Sequence, residues 1–417
     1  MSVKKHTLKL VAATAVASIM STSAMAEGTI KIAFIDPLSG PFAAVGQSGF
    51  SEYKFAADYF ANNQGGVIGK KIEIVGLDNK ISPKESLIQL KNAIGQGIRF
   101  IAQGNSSGVA NALTDAIRKH NKRNPDKTVL FLNYSAVDPA LTEKKCNFWH
   151  FRFDANANMK MSAITDTIKK RKDIKKIYII GQDYSFGKAV SAAAKKFLKM
   201  KRPDIEIVGD ELHPIGKVKD FTPYISKISA SGANAIITGN WGADMVNLAR
   251  AANSGGVKAD FFTYYAAGTG ITAAIGEGGV GRIRLVSEGH QNPAPTATWD
   301  AYLGAYKKLN PKKDITQARI AHVVQMFVKA VKKANSADPM KVAFALEGME
   351  NTTLAGDKMV MRASDHQLQM PLQIAVHSAG VKWDIDNSGY GLQTENTVPL
   401  TTNELATSCN MKNRPKM

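Results

Sequence analysis

The chain has 417 residues, of which 44% are hydrophobic, a length that suits two domains and a composition typical of a globular rather than a disordered protein. Its 54 Lys and Arg exceed its 35 Asp and Glu, for a formal net charge of +19, and the basic residues are spread along the sequence. The densest run, residues 169–176, is predicted to be a solvated helix end, so no nucleic-acid partner is expected.

The first 26 residues have the order of a secretory signal. Lys4, Lys5 and Lys9 precede the apolar run LVAATAVASIM, and small residues up to Ala26 follow it. Cleavage is predicted after Ala26, which leaves a mature chain in the periplasm. No later stretch approaches the roughly 18–20 apolar residues that a transmembrane helix needs, so the mature protein is not expected to be membrane-embedded.

The first part of the mature chain alternates strands with helices. Apolar runs predict strands at 29–35, 71–78, 98–103 and 128–133, and apolar residues at helical spacing predict helices at 46–62, 83–95 and about 109–117. Helices that alternate with strands imply a parallel sheet covered on both faces.

The same alternation begins again after residue 153. Strands are predicted at 176–181, 205–212 and 235–239, and helices at 156–170, 187–200, 224–231 and 245–254. Two doubly wound α/β lobes in series are therefore predicted. Ligands of such sheets bind outside the carboxyl ends of the strands, so the loops that follow strands are the candidate site.

A glycine-rich turn at 276–281 reads GEGGVG and matches the G-x-G-x-x-G of dinucleotide sites. That fingerprint needs a strand before it and a helix after it, whereas here a helix-like segment precedes and a strand-like segment follows. A surface turn is predicted instead, and neither a cofactor nor a metal is expected.

The loop between the predicted strand at 98–103 and the next helix is built from small residues, Gly104-Asn105-Ser106-Ser107-Gly108. Its hydroxyls and amides at the positive end of a helix dipole would seat a carboxylate. Two other interpretations stay open. A serine here can simply cap the helix, and the same residues match the G-x-S-x-G nucleophile elbow of hydrolases.

The hydrolase alternative makes Ser106 a nucleophile, with His366 and either Asp365 or Asp357 completing a triad in the chain order Ser, Asp, His. No HGGG-type oxyanion segment precedes the serine loop. The favoured prediction is therefore that the protein is not an enzyme.

Five segments carry a resemblance to a known family. They read IKIAFIDPLSGPFAAVGQ (30–47), GNSSGVANALTDA (104–116), VLFLNYSAVDPALT (129–142), YIIGQDYSFGKAV (178–190) and AIITGNWGADM (235–245). In this order they resemble the type I periplasmic binding proteins, and within them the branched-chain amino acid group of ABC importers. The resemblance covers nearly the whole mature chain. It implies an α/β fold of two doubly wound parallel-sheet lobes, joined by a three-crossing hinge, with the ligand between them.

The resemblance also indicates which residues contact ligand. It places the ligand carboxylate on the serine loop and on the loop at 135–137, and the ligand side chain under aromatic residues of the other lobe. The predicted binding residues are Ser106, Ser107, Ser135, Ala136, Val137, Tyr184, Phe186, Trp241, Tyr265 and Ala267.

Two departures from the family pattern bear on the ligand. Val137 stands where a threonine is typical, and no acid lies within 264–268, where the family has the residue that pairs with an α-ammonium. A buried ammonium without a counter-charge costs several kcal/mol. Asp183 or Asp244 could substitute for the missing acid. If neither does, the predicted ligand is a small carboxylate, which can be aromatic, or an amide.

The lobes and the tail are assigned from the family pattern. Residues 27–153 and 291–370 are predicted to form the N-terminal lobe, and residues 154–290 and 371–417 the C-terminal lobe, along which the tail lies. Cys146 and Cys409, the two cysteines of the chain, are predicted to form a disulfide in an oxidising compartment, with two free buried thiols as the alternative.

The function expected from all of this is capture of a small molecule by hinge closure and its transfer to the permease subunits of an ABC importer. The protein is expected to act as a monomer. A ligand-sensing receptor domain with the same fold is the second alternative, since only the membrane partner distinguishes the two.

Overall fold

The computed structural model describes residues 28–411 and 414–416, and it forms two α/β lobes. The predicted signal peptide and its cleavage site after Ala26 lie outside the described residues. Within the described part of the chain, the helices are all too short or too polar to cross a membrane.

The first lobe is built on a parallel sheet of five strands in the order β2-β1-β3-β4-β5. Its inner strands are mostly apolar and buried because helices cover both faces. Its strands are β1 Thr29–Asp36, β2 Lys71–Asp78, β3 Phe100–Gln103, β4 Leu130–Asn133 and β5 His150–Arg152.

The second lobe contains a sheet of seven strands in the order β15-β14-β10-β9-β8-β6-β7. Its first five strands in the chain are parallel, and β14 and β15 add an antiparallel edge. The strands are β6 Lys176–Gln182, β7 Glu206–His213, β8 Ala235–Thr238, β9 Asp260–Thr263, β10 Ile283–Ser287, β14 Leu372–Ala379 and β15 Tyr390–Val398.

A small antiparallel sheet lies between β10 and β14 in the chain. Its strands are β11 Glu350–Thr352, β12 Lys358–Met361 and β13 Leu368–Gln369. Met359, Met361 and Leu368 pack into the core of the first lobe, so this sheet extends that lobe.

The helices pack on the faces of the two large sheets. In the first half of the chain they are α1 Ala43–Phe60, α2 Pro83–Gly95, α3 Ser107–Arg123, α4 Ala157–Lys170, α5 Ser185–Lys201 and α6 Thr222–Ala230. In the second half they are α7 Gly242–Ser254, α8 Ile271–Ile275, α9 Ala297–Leu309, α10 Arg319–Ala334, α11 Pro339–Leu346 and α12 Leu400–Asn403.

The chain passes between the lobes after β5, after β10 and between β13 and β14. After the second passage, α10 and α11 return to the first lobe, where Val324, Phe327 and Leu346 join its core. The predicted fold class, two parallel-sheet lobes with three crossings, is confirmed. The residue-level lobe boundaries stay a prediction.

The glycine-rich turn at 276–281 has the context that was predicted for it. It follows α8, contains a single 3₁₀ turn and leads into β10. The strand β15 was not predicted, because it is an edge strand whose side chains alternate only partly between buried and exposed.

The structure differs from the expectation for the end of the tail, which leaves the second lobe after β15. Thr407 Oγ1 donates to Thr142 O at 3.3 Å, and Arg414 pairs with Glu347, both on the first lobe. Cys409 is bonded to Cys146 with the Cα atoms 5.7 Å apart, which confirms the predicted disulfide. The tail crosses back because its cysteine partner lies between β4 and β5 of the first lobe.

Candidate functional site

A cavity lies between the carboxyl ends of the two sheets. It brings together all ten residues predicted for the site, namely Ser106, Ser107, Ser135, Ala136, Val137, Tyr184, Phe186, Trp241, Tyr265 and Ala267. The first lobe supplies the serine loop and the loop after β4. The second lobe supplies the aromatic residues, from loops that follow β6, β8 and β9.

The serine loop is held in place by a buried carboxylate that the sequence analysis did not single out. Asp36, the last residue of β1, accepts from the amides of Gly104 and Asn105 at 3.1 and 3.0 Å. Tyr134 Oη donates to the same carboxylate at 2.5 Å, and Asn105 Nδ2 donates to Tyr134 Oη at 3.0 Å. Burial raises the pKa of Asp36 to about 7, against the opposing effect of these hydrogen bonds.

The loop after β4 is fixed in a similar way. Asn133 Oδ1 accepts from the amides of Ser135 and Ala136 at 3.1 and 2.8 Å, and its Nδ2 donates to Ala136 O at 2.9 Å. The side chain of Asn133 thus closes a turn on its own strand end. Both loops of this wall are therefore positioned by buried hydrogen bonds within the first lobe.

The helix-cap interpretation of the serine loop is wrong for Ser106. Ser106 occupies the N-cap position of α3, but its side chain makes no capping hydrogen bond. Its φ of 79° is rare for a residue with a side chain. Ala110 N donates to Ser106 O, so α3 begins directly after Ser106. The backbone amides of its first turn, from Ser107 onwards, therefore start next to the cavity.

Ser107 links the two polar loops. Its Oγ accepts from Asp138 N at 3.2 Å, which leaves its proton available to an acceptor in the cavity. Hydroxyls and helix N-terminal amides without a basic side chain form the kind of site that suits a carboxylate.

The second-lobe wall is aromatic. Trp241 Nε1 donates to Tyr184 Oη at 2.9 Å, which orients both rings. The ring centroid of Phe186 lies 5.6 Å from that of Tyr264 and 5.8 Å from that of Tyr265. These spacings are those of packed aromatic pairs, so the wall presents several flat surfaces to a ligand.

The two lobes are in contact across the cavity. Tyr265 Oη donates to Ser135 O at 3.2 Å, a hydrogen bond from the second lobe to the first. Phe42, in the loop after β1, lies with its ring centroid 4.4 Å from that of Trp241. The lobes are therefore closed around the cavity in this structure.

Two glycines of the second lobe receive the Phe42 ring. A Cβ atom on Gly242 would lie 2.6 Å from Phe42 Cδ1, and one on Gly216 would lie 2.7 Å from Phe42 Cε2. Both glycines also have a positive φ, 58° and 66°. We call this arrangement the Phe42 socket, defined by Phe42, Gly216, Gly242 and Trp241.

A cluster of four buried charges lies beside the cavity at the crossings. Lys160 Nζ is 2.8 Å from Asp154 Oδ1 and 3.3 Å from Glu288 Oε2, and Arg319 Nη1 donates to Glu288 Oε1 at 2.9 Å. Burial and the neighbouring Glu288 raise the pKa of Asp154 to about 7. Burial opposes ionisation of Glu288, but Lys160 and Arg319 outweigh it and lower its pKa. Only Arg319 of the four lines the cavity.

No Asp or Glu is among the described residues that line the cavity. Asp183 is half-exposed and pairs with Lys188 at 3.1 Å. Asp244 is buried, but it accepts from Gln182 Nε2 at 2.7 Å and from Gly216 N at 2.9 Å outside the cavity wall. Neither acid replaces the missing partner of an α-ammonium.

The structure does not bring together the residues of the hydrolase alternative. His366 Nε2 bonds Glu347 Oε1 at 2.7 Å, and the His366 ring stacks on Phe151 with centroids 3.8 Å apart. Asp365 accepts from Arg362. These partners place His366 and Asp365 in the packing of the first lobe rather than beside Ser106.

Sequence reasoning missed the polar residues from the crossings. His290, Gln291, Thr316, Gln317 and Arg319 line the cavity together with the predicted ten. They follow β10, directly precede α10 or, for Arg319, begin it. The available signal was the position of Gln291 four residues after a strand. Asp36 had the same signal, as an acid at the carboxyl end of a buried strand.

Two α/β lobes closed over a polar and aromatic cavity define a protein that binds a small molecule between its lobes. A sequence model described as "Periplasmic binding protein" matches residues 29–381, and the chain belongs to that family. Proteins of this family are periplasmic, bind small molecules and work with the permeases of ABC transporters.

Named relatives extend over almost the whole chain. The Leu/Ile/Val-binding protein homolog 4 of Brucella abortus is 32% identical over 403 residues, which cover 92% of each chain. The leucine-, isoleucine-, valine-, threonine- and alanine-binding protein of Pseudomonas aeruginosa is 28% identical over 84% of this chain and 90% of its own. These relatives confirm the predicted branched-chain amino acid group.

A solved structure agrees with the closed arrangement. The crystal structure of a leucine-, isoleucine-, valine-, threonine- and alanine-binding protein from Brucella ovis, in its closed conformation, superposes with a TM-score of 0.81. It is 31% identical in sequence, and the match covers 93% of this chain and all of that one.

Proposed function

We propose that this protein, the substrate-binding subunit of an ABC importer, captures a small organic acid that has no α-ammonium group. The observation that carries the proposal is that the described cavity wall has serine hydroxyls and helix amides for a carboxylate but no acid for a cation. An α-amino acid would bury its ammonium without a counter-charge, at a cost of several kcal/mol.

The ten predicted residues would bind this ligand in two groups. Ser106, Ser107, Ser135 and the amides of the loop at 135–137 would hold the carboxylate. Tyr184, Phe186, Trp241 and Tyr265 would cover the body of the ligand, and Ala267 leaves the space that an acid occupies in amino-acid-binding members. Flat apolar bodies, including aromatic rings, suit such a wall.

Capture would proceed by closure of the hinge. A ligand that contacts both walls binds the closed state more tightly than the open one, so it shifts the equilibrium between them. No bond of the ligand is made or broken. The mature chain, exported by the signal peptide that ends at Ala26, would act as a monomer and present the closed form to the permease.

A second candidate ligand is an aliphatic amino acid, and the names of the relatives favour it. In that case the ammonium would be held by neutral acceptors of the wall alone. This candidate needs a compensating interaction that the closed cavity does not contain among its described residues.

A thermal-shift screen of the mature protein, freed of carried-over ligand by unfolding and refolding, tests the proposal. Benzoate, 3-phenylpropanoate, 4-methylpentanoate and their amides are compared with leucine, isoleucine, valine and phenylalanine. A ligand at 100 times its Kd stabilises by about 2.7 kcal/mol, which such a screen detects. We expect a rise in Tm with the ammonium-free acids; a rise with the amino acids alone would contradict the proposal.

A further inference from the structure

Four buried charges join the two lobes at the crossings. Lys160 lies on α4 in the second lobe, and Arg319 begins α10 in the first. Asp154 follows β5, where the chain leaves the first lobe, and Glu288 follows β10, where it returns. Their side chains are at most 8% exposed. We call these four residues the hinge charge cluster.

Each carboxylate of the cluster bridges the two cations. Asp154 Oδ1 lies 2.8 Å from Lys160 Nζ, and its Oδ2 lies 3.8 Å from Arg319 Nε. Glu288 Oε2 lies 3.3 Å from Lys160 Nζ, and its Oε1 accepts from Arg319 Nη1 at 2.9 Å. The four contacts therefore form a closed ring in which positive and negative groups alternate.

The two cations are fixed to different lobes. Met159 and Met161, on either side of Lys160, belong to the core of the second lobe. Ile320, which follows Arg319, belongs to the core of the first lobe. A rotation that separates the lobes moves Lys160 relative to Arg319, so a carboxylate that follows one cation loses contact with the other.

This loss is unfavourable because the four groups are buried. Charges taken out of water depend on their partners, since the protein interior screens them weakly. A buried ion pair adds little to folding compared with well-packed apolar residues. The cluster is better suited to fix one arrangement of the elements that carry it, because another arrangement leaves a buried charge without its partner.

The cluster also contacts the cavity wall, at Tyr265. Lys160 Nζ lies 5.0 Å and Arg319 Cζ 5.6 Å from the centroid of the Tyr265 ring. Cations at these distances are attracted to the face of an aromatic ring. Tyr265 lines the cavity and donates to Ser135 O across the lobes at 3.2 Å. The arrangement of the cluster therefore bears directly on a ring that closes over a ligand.

We propose that the hinge charge cluster holds the lobes at the closed angle and positions Tyr265 over the ligand, so that it sets how slowly a captured ligand is released. Asp154, Lys160 and Glu288 are absent from the described cavity wall and act as positioning residues. The proposal goes beyond the identity of the ligand, since it holds for an organic acid and for an amino acid. It rests on the proposed function only in that closure of the hinge captures the ligand.

Lys160→Met tests this, because methionine keeps an unbranched side chain and removes the bridge from the second lobe. Dissociation of 4-methylpentanoate and of leucine is followed by stopped-flow tryptophan fluorescence, since Trp241 lies in the cavity wall. The buffer is at pH 8, above the pKa of about 7 to which burial and Glu288 raise Asp154. We expect dissociation at least about tenfold faster, or about 1.4 kcal/mol, and association changed by less than about threefold, since release breaks the contacts of the closed state.

A second variant separates positioning from stability. Lys160→Met combined with Asp154→Asn removes one charge of each sign and leaves the pair of Arg319 and Glu288 intact. We expect its unfolding midpoint to recover relative to Lys160→Met, while dissociation stays fast because the bridge from the second lobe is still missing. Recovery of both would show that the cluster only stabilises the fold, and would overturn the proposal. This variant keeps the test open if Lys160→Met folds poorly.

Arg284→Met is the matched control. Arg284 is a buried cation on β10 that pairs with Asp260 and Glu395, both on strands of the second lobe. Its removal should lower the unfolding midpoint and leave dissociation within about twofold of the unsubstituted protein. Equal acceleration of dissociation in Arg284→Met and Lys160→Met would contradict the proposal.

The outcomes separate this inference from the proposed function. If leucine binds and 4-methylpentanoate does not, the proposed function fails, and leucine still tests the cluster. If neither probe binds, small-angle scattering of the ligand-free protein decides, with a larger radius of gyration expected in both cluster variants. An unchanged radius there would overturn the inference.

Discussion

The two walls of the cavity are built on different physical principles. The first-lobe wall is polar, and Asp36 and Asn133 fix its loops through buried hydrogen bonds that lie within one lobe. The second-lobe wall is aromatic, and Trp241 and Tyr265 make their contacts across the lobes. The first wall is thus organised before closure, whereas the second is completed by it.

This difference predicts how strongly substitutions in each wall weaken ligand binding. Loss of a first-lobe anchor should remove the anion site itself, since hydrogen bonds to charged groups are worth about 1.5–3 kcal/mol each. Loss of a second-lobe ring should lower the binding free energy only by the contribution of that ring's own contacts. Changes that touch neither wall should leave affinity nearly constant.

The largest effect is expected for Asp36→Ala, which leaves two amides and a tyrosine hydroxyl without their acceptor. We expect at least about hundredfold weaker binding, since each tenfold corresponds to about 1.4 kcal/mol. Asp78→Asn is the matched control, because Asp78 is the register partner of Asp36 on β2 but bonds only the loop after β1 and its own turn. Affinity is measured by calorimetry. An equal loss of affinity in the two variants would show that Asp36 does not anchor the serine loop for binding.

The next effect is expected for Trp241→Ala, with binding weaker by at least about tenfold, or roughly 1.4 kcal/mol. The change removes a ring from the cavity and the donor that orients Tyr184. Trp383→Ala serves as control, since Trp383 bonds Asp300 at 2.9 Å and is absent from the described cavity wall. Unchanged affinity in Trp241→Ala would show that Trp241 does not contact the ligand.

A smaller effect is expected for Phe42→Ala, because Phe42 is absent from the described cavity wall and acts through the Phe42 socket. Removing a packed aromatic pair costs about 0.5–1.5 kcal/mol beyond buried area, so a several-fold faster ligand dissociation is expected. Small-angle scattering should show a more open average form with ligand bound. A slower association at unchanged dissociation would argue against a role in closure.

The smallest effect on affinity is expected for the pair Cys146→Ser and Cys409→Ser. The tail lies on both lobes but contributes no described residue to the cavity, so Kd should change by less than about twofold. The freed tail should be trimmed more readily by a protease of broad specificity such as proteinase K, and the unfolding midpoint should fall. A large change in Kd would show that the tail sets the closed state.

Local sequence patterns predicted the fold, and the resemblance to the type I periplasmic binding proteins indicated the ten residues that the structure brings to the cavity. Apolar runs and helical spacing locate the elements, and the loops after parallel strands must meet at one edge. The strand β15 and the contribution of Gln291 and Arg319 could not be predicted in the same way. They depend on which segments the three crossings bring together, and that arises from packing over long separations in the chain.

The anchoring role of Asp36 shows the same limit. Its position at the end of β1 was visible, but its bonds reach residues 104 and 134, which only the folded sheet places beside it. The missing acid near Ala267, in contrast, was visible in the sequence. The structure added that neither Asp183 nor Asp244 lines the cavity in its place.

The most direct test is a calorimetric comparison of leucine with 4-methylpentanoate on the refolded, ligand-free protein. The two molecules share one carbon skeleton and differ in the α-ammonium, the group for which the cavity wall has no acid among its described residues. We predict that 4-methylpentanoate binds and that leucine binds at least about tenfold more weakly. Tighter binding of leucine would contradict the account.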